Sequence, residues 1–239
     1  MRTFTYAERP DLAARTGEVE DTMAPFMGHG AVLVEHWGKL RTELPELQLV
    51  LYDEDADAVV GHARTLPAQV ADGLPGGIDD MLEQWFARDR RTQADALSAM
   101  VAVVDRSRHG QGLSRLLLEA MRDLARDGGF DALIAPVRPT WKERYPLIPM
   151  ERYAGWARDD GLPFDPWLRV HVRLGGEIVE VCPASMRIEG AAAEWEEWTG
   201  LAFPGDGAWV VPGALVPVEV ASGRGTYVEP NVWVRHAVR

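Results

Sequence analysis

Cysteine is almost missing from this chain of 239 residues: Cys182 stands alone, so no internal disulfide can staple the fold. No apolar run approaches the roughly 18 residues that a membrane span requires. The opening MRTFTYAERP also lacks the apolar core of a signal peptide. Basic residues are too few to balance the acids. Only 25 Lys and Arg face 37 Asp and Glu, a net charge of −12, which argues against nucleic acid or an anionic membrane as partner. The plain expectation is a cytoplasmic protein whose acidic balance favours a cationic small molecule. No spacing of His, Cys, Asp or Glu resembles a zinc site, so no metal is expected. Neither a Gly-x-Ser-x-Gly nucleophile turn nor a glycine-lysine phosphate loop occurs. Apolar residues, by contrast, reach 46%, an ordinary content for a globular core. Of nine tryptophans, Trp141, Trp156, Trp167, Trp195, Trp198 and Trp209 crowd one stretch of the second half, which predicts aromatic-walled surfaces there.

The chain is organised around Leu97–Gly129. LSAMVAVV is short, valine-rich and apolar, which predicts a buried strand. RLLLEAMRDLARDGG is amphipathic. Leu113, Leu116, Leu117, Ala120 and Leu124 are expected on one helix face, Arg115, Glu119, Arg122 and Arg126 on or near the other, with Gly128 and Gly129 ending the helix. Between them lies His109-Gly110-Gln111-Gly112-Leu113-Ser114. A helix start has free N–H groups and the positive end of the dipole, and glycines let an anion approach that backbone. The unit therefore predicts a phosphate or pyrophosphate site. It is not a dinucleotide fingerprint, because Arg115 stands where the third glycine would fall and the next strand ends in Pro136-Val137-Arg138.

This loop, entered from VAVVDRSR, resembles the pyrophosphate loop of the GNAT acyltransferase superfamily, Arg/Gln-x-x-Gly-x-Gly/Ala. Gly112 matches the central glycine. His109 and Ser114 depart mildly from the family's residues at the two ends. The resemblance implies an α/β fold with a mixed, mostly antiparallel central sheet, splayed between the fourth and fifth strands and flanked by helices. It implies acetyl-CoA, or another short acyl-CoA, as co-substrate, held by Val103, Val104, His109, Gly110, Gln111, Gly112, Leu113 and Ser114. It further implies a small-molecule amine as acceptor and a possible homodimer. Arg106 and Arg108 flank the loop as candidates for the 3′-phosphate, with surface charge as the other reading.

The remaining sequence reads as a single domain, 1–239. Strands are expected at Thr3–Glu8, Leu47–Tyr52, Ala58–Leu66 and Phe130–Val137, and helices at Asp11–Met23 and Ala31–Leu44. Residues 67–95 read as a helical insertion, with Ile78–Arg90 covering the acceptor pocket or forming a dimer contact. Residues 151–239 form an elaborated C-terminal part. There Asp165-Pro166 opens a helix, as cap and first residue. Pro230 predicts that the last strand, Thr226–His236, is an edge strand or is bulged. Asp21, Met23, Phe26, Met27 and Trp37 are candidates for the acceptor wall.

Acyl transfer needs a deprotonated amine, a stabilised oxyanion and a proton for the leaving thiolate. The family commonly takes that proton from a tyrosine on the helix after the fifth strand, and Tyr145 lies nearest that place, with Tyr153 next. No base stands out: Glu194, with Glu196 and Glu197, lies beside Trp195 and Trp198 and is a candidate, although a solvated helix face explains these acids equally. His62 and His171 qualify by chemistry alone, and Cys182 reads as a buried thiol. An acetyl-CoA-dependent N-acetyltransferase with direct attack in a ternary complex is the leading expectation. A non-catalytic acyl-CoA-binding module and an acyl-CoA decarboxylase on the same fold are the alternatives.

Overall fold

Alternating apolar residues give the strands their pairing, and one parallel contact gives the sheet its character. The computed structural model describes residues 1–20, 23–87 and 94–238. Strands β1 (Arg2–Thr5), β2 (Leu49–Asp53), β3 (Ala58–Ala68) and β4 (Ala96–Val104) pair antiparallel in that order. Next to β4, β5 (Ala132–Val137) runs parallel. Then β9 (Arg224–Ala237) pairs antiparallel with β5, and both β6 (Glu177–Ala191) and β8 (Val218–Ala221) pair with β9. The short β7 (Gly207–Trp209) lies outside β8. This is the mixed, mostly antiparallel sheet expected from the sequence.

The parallel pair is brief. Ala96, Leu97 and Ser98 pair with Ala132, Leu133 and Ile134, and there the ladder ends. Beyond it β4 continues to Val104 and β5 to Val137 as separate strands, each held by its outer neighbour. The splay starts where β4 is bulged: Thr65 pairs with Ala99 but Arg64 with Val101, leaving Met100 as the extra residue. Met100 and Val101 consequently both turn to the face away from the main helix, while Ala99 and Ala102 pack toward it.

That helix, α4 (Leu113–Asp127), buries Leu113, Leu117, Leu118, Met121 and Ala125 against the sheet. The buried stripe is rotated by about one position from the expected one. Leu116 is exposed and Leu118 is inside, because each side chain leans toward the preceding turn. Arg122 also turns inward, donating to the carbonyls of Leu174 and Ala237 at 2.9 and 3.3 Å. The opposite face is covered by α2 (Ala31–Glu43), α3 (Ile78–Ala87) and α7 (Ala192–Thr199). In α3, Ile78, Met81, Leu82 and Trp85 are buried, so this helix of the 67–95 segment covers this face of the sheet. The expected extension of α3 to Arg90 lies outside the described residues. The N-terminal helix is shorter than expected: α1 (Pro10–Ala14) gives way to a 3-10 turn at Thr16–Glu18, and Asp21 is outside the described residues.

After β5, a turn at Lys142–Arg144 leads to α5 (Met150–Ala154) and α6 (Pro166–Arg173). Pro230 does not mark an edge. β9 is internal, and the ladder with β6 is broken between Cys182 and Met186, opposite Asn231 and Glu229, so the irregularity falls where proline removes a donor. Among the described residues, no helix is long and apolar enough to cross a membrane.

Candidate active site

The glycines of the loop are required by conformation. Gly110 and Gly112 have φ of +81° and +78°, and a Cβ at either would meet nothing within 4 Å. Gly112 occupies the N-cap of α4, and no side chain caps that end. The backbone N–H groups of Gly110, Gly112, Leu113 and Ser114 find no acceptor among the described residues. They converge at the positive end of a helix of 15 residues, which suits a diphosphate. The exposed His109 ties the loop to the strand, its Nε2 lying 3.1 Å from the Val104 carbonyl oxygen. Asp105 accepts from the Ser107 N–H at 2.9 Å and from the Ser107 hydroxyl, bonds that hold its carboxyl below the usual carboxylate range. Arg108 lies 3.4 Å from Asp53 and Arg106 lies 3.7 Å from Glu20, so both flanking guanidiniums face an acid.

Behind the loop, Val103 pairs with His62 and Val104 with Gly61. A Cβ on Gly61 would lie 2.7 Å from the Val103 carbonyl oxygen. β3, β4 and α4 are therefore in close contact, and the route away from the loop runs toward the Met100 bulge and the splay.

On the β5 side, the chain builds an aromatic wall. The Tyr145 ring lies 5.0 Å from Trp156, 5.9 Å from Tyr153 and 6.0 Å from Phe164. The two tyrosines differ in their hydroxyls. That of Tyr153 donates to Asp165 at 2.8 Å, and burial beside this carboxylate pushes its pKa up. No described residue hydrogen-bonds the hydroxyl of Tyr145, and the residue is half-buried. Lys142, fully buried, anchors this turn by donating to the carbonyls of Tyr145 and Leu215 at 2.9 and 2.5 Å. Burial pushes its pKa down to about 8. Nothing adjacent in the sequence marks this lysine as interior.

At the end of β5, Arg138 donates to Glu229 at 3.1 Å and to the Gly213 carbonyl. Glu229 also accepts from Tyr227 at 2.8 Å and from Asn231 at 3.2 Å. This buried network, which the sequence did not single out, closes one flank of the splay with its charges paired. On the other flank stands Arg64 of β3, its guanidinium carbon 5.4 Å from the Trp37 ring centroid.

The structure does not bring Glu194 to Tyr145. It caps α7, accepting from the Ala191 N–H at 2.6 Å on an exposed helix end. α7 packs where β9 starts at Arg224, and the last β5–β9 pair is Val137–Val232. Eight residues of strand separate the two, roughly 26 Å when extended. His171 is packed against His236, Nδ1 to Nε2 2.9 Å, and is part of the core. Cys182 is buried and donates to the Gly76 carbonyl at 3.2 Å, with burial raising its pKa. Of the acceptor-wall candidates, Phe26 and Met27 are core residues, Met23 is exposed, and Trp37 is half-buried over Arg64. Among the described residues, no cluster of His, Cys, Asp or Glu is placed to hold a metal.

An open mixed sheet with one parallel pair, splayed beside a glycine turn with N–H groups that have no acceptor among the described residues, fits the class of acyl-CoA-dependent acyltransferases. Over 270 aligned positions the chain is 33% identical to the arginine N-acetyltransferase avaD of Aspergillus versicolor, spanning 98% of this chain and 93% of the relative. The chain belongs to the GNAT acyl-CoA N-acyltransferase superfamily and is an acetyltransferase. Among solved structures, the loading GNATL domain of CurA from Lyngbya majuscula superposes with a TM-score of 0.60 at 17% identity, over 99% of this chain and 96% of that one. The GphF GNAT-like decarboxylase in complex with isobutyryl-CoA gives 0.56 at 20% identity, over 100% of each. These two share the fold. No protein-family model matches the chain.

Proposed function

We propose that this protein transfers the acetyl group of acetyl-CoA to the amine of a small cationic amino acid, arginine or a near analogue, by direct attack in a ternary complex. The observation that carries the reading is the full-length similarity to an arginine N-acetyltransferase. It is supported by four N–H groups at the start of α4 that have no acceptor among the described residues. In this reading the N–H groups of Gly110, Gly112, Leu113 and Ser114 hold the pyrophosphate, Gln111 and His109 border it, and Val103 and Val104 lie along the pantetheine. The thioester enters the splay between β4 and β5, with the backbone near the Met100 bulge as oxyanion donor.

The amine must attack unprotonated. A guanidinium stays charged and is no nucleophile, so the α-amine of arginine is the reacting group. Its nitrogen bonds to the thioester carbonyl carbon, the C–S bond breaks, and the thiolate takes a proton from the Tyr145 hydroxyl. The acetylated nitrogen releases its surplus proton to water, and solvent restores the tyrosine. The net charge of −12 draws cationic acceptors toward the protein.

The test is release of CoA thiol from acetyl-CoA with a panel of amino acids and amines, the product identified by mass. Acetyl-arginine formed faster than any neutral amino acid is acetylated is the expected result. Acetyl-CoA binding without thiol release for any amine would overturn it in favour of a binding module. Carbon dioxide release from malonyl-CoA would overturn it in favour of decarboxylation.

A further inference from the structure

The sheet face opposite α4 carries a half-buried cation with no counter-charge among the described residues. Arg64 projects from β3 beneath α2. Its Nε and Nη1 are shielded from solvent and have no hydrogen-bond partner among the described residues. Its guanidinium carbon lies 5.4 Å from the Trp37 ring centroid and 5.7 Å from that of Tyr6, whose own hydroxyl is buried without a partner. Desolvation lowers the guanidinium's pKa, and the nearby Arg41 adds to the effect. A buried charge is ordinarily kept only when paired, because its lost hydration must be replaced. Arg138, also turned inward on the far flank of the splay, obeys that rule through Glu229. Arg64 does not.

Its location gives the missing partner a reason. Arg64 pairs across the sheet with Val101, the residue after the bulge at which β4 leaves β5. The guanidinium is thus rooted one strand from the edge of the splay, roughly 5 Å away in the sheet. It lies on the face to which Met100 and Val101 turn, opposite the α4 loop. A planar guanidinium with free donors matches a carboxylate.

We infer that Arg64 binds the carboxylate of the amino-acid acceptor and so presents the neighbouring α-amine to the thioester held in the splay. The inference rests on the acetyl-transfer reading above and names the group by which that site selects its substrate. An acceptor with the same cationic tail but no carboxylate loses this anchor. A carboxylate reaches this face from one other source, the free acid of a dicarboxylic acyl-CoA such as malonyl-CoA, and the test separates the two.

The experiment is titration calorimetry on the full chain saturated with CoA, using L-arginine and agmatine, which is arginine without its carboxylate. The wild type is expected to bind arginine about 100-fold more tightly than agmatine. Arg64→Gln should bind both alike while its affinity for acetyl-CoA is unchanged, and Arg64→Lys should keep part of the preference. Thermal melts report whether each variant is folded. Removing a half-buried cation that has no paired acid should not lower the melting temperature, and Arg64→Lys serves if the glutamine variant does not fold. Equal binding of arginine and agmatine by the wild type, no binding of either, or an undiminished preference in Arg64→Gln would each overturn the proposal. So would a loss in Arg64→Gln of malonyl-CoA affinity relative to acetyl-CoA, since the carboxylate would then belong to the acyl donor. Acetyl-arginine formed equally well by Arg64→Gln would overturn the anchor and leave the activity standing. Arg64-dependent arginine binding without acetyl transfer would do the reverse.

Discussion

Tyr145 and Tyr153 share one aromatic cluster, and only their hydroxyls separate them. The Tyr153 hydroxyl is committed to Asp165, so its loss should act on stability. Tyr153→Phe is expected to lower unfolding free energy by about 2 kcal/mol, the range for a hydrogen bond to a charged group. Its turnover per folded molecule should be near that of the wild type. Tyr145→Phe should behave oppositely, with kcat down about 100-fold as the leaving thiolate loses its proton donor, while affinity for CoA and thermal stability hold. Steady-state kinetics and melts on the two variants decide this, and a normal kcat for Tyr145→Phe removes it as the acid. The glycine loop allows an equally direct test. Gly112 sits at φ +78° with open space beside it. Gly112→Ala therefore costs only the left-handed backbone, about 1–2 kcal/mol. Gly112→Glu adds a negative charge facing the pyrophosphate and should abolish CoA binding in calorimetry. Unchanged affinity in Gly112→Glu would mean that the loop is only a turn.

At the scale of elements, Asp165 does the work of several residues. One oxygen caps α6, accepting from Trp167 and Leu168 at 2.9 and 3.1 Å. The other accepts from the Trp141 N–H and the Tyr153 hydroxyl, both at 2.8 Å. Asp165→Ala is thus expected to cost about 3 kcal/mol, beyond the ~1 kcal/mol of an ordinary cap. It should also slow turnover, because the turn that carries Tyr145 is tied down through Trp141. Urea titration with parallel kinetics checks both effects, and a loss of 1 kcal/mol or less would make Asp165 a cap only. The cap itself was legible from Asp165-Pro166, because its signal is local. The strand–loop–helix around Gly112 was legible for the same reason. The rest depended on tertiary partners. Arg64 in an alternating strand reads as a polar solvent-facing residue, and nothing nearby in sequence announces that α2 will lay Trp37 over it. Pro230 signalled an edge or a bulge without deciding between them, because the register break that settles it lies in β6, more than 40 residues earlier. Glu194 drew attention by its tryptophan neighbours, whereas its spacing from Ala191 already allowed a helix cap.

For the whole molecule, two effects of pH oppose one another. With a net charge of −12, mild acid should relieve repulsion among the carboxylates and stabilise the fold. The core holds a pair that responds in the other direction. His171 of α6 and His236 of β9 are both buried, their ring nitrogens 2.9 Å apart. Trp167 packs against His171, and Arg122 of α4 lies close to His236. Burial holds both imidazoles below their ordinary value, with the Arg122 guanidinium adding to it at His236 and the second ring adding to it at His171. The unfolded chain therefore binds more protons than the folded one once pH drops below the unperturbed histidine value of about 6.5. The stability from the neutral pair is complete above that pH and is lost as pH falls toward the depressed values, by about 1.4 kcal/mol per pH unit for each histidine. The pair joins the C-terminal elaboration to the central sheet, so protonation there should unfold the chain as a whole. Urea midpoints at pH 7.5, 6.5 and 5.5 should fall with pH in the wild type. In His171→Leu, which removes one of the two groups and the repulsion between them, the slope should be at most half as steep. The carboxylates are the same in both proteins, so the difference isolates the pair. An identical slope would mean that the histidines take up no protons on unfolding, and a midpoint rising toward pH 5.5 would mean that relief of the acidic surface outweighs them.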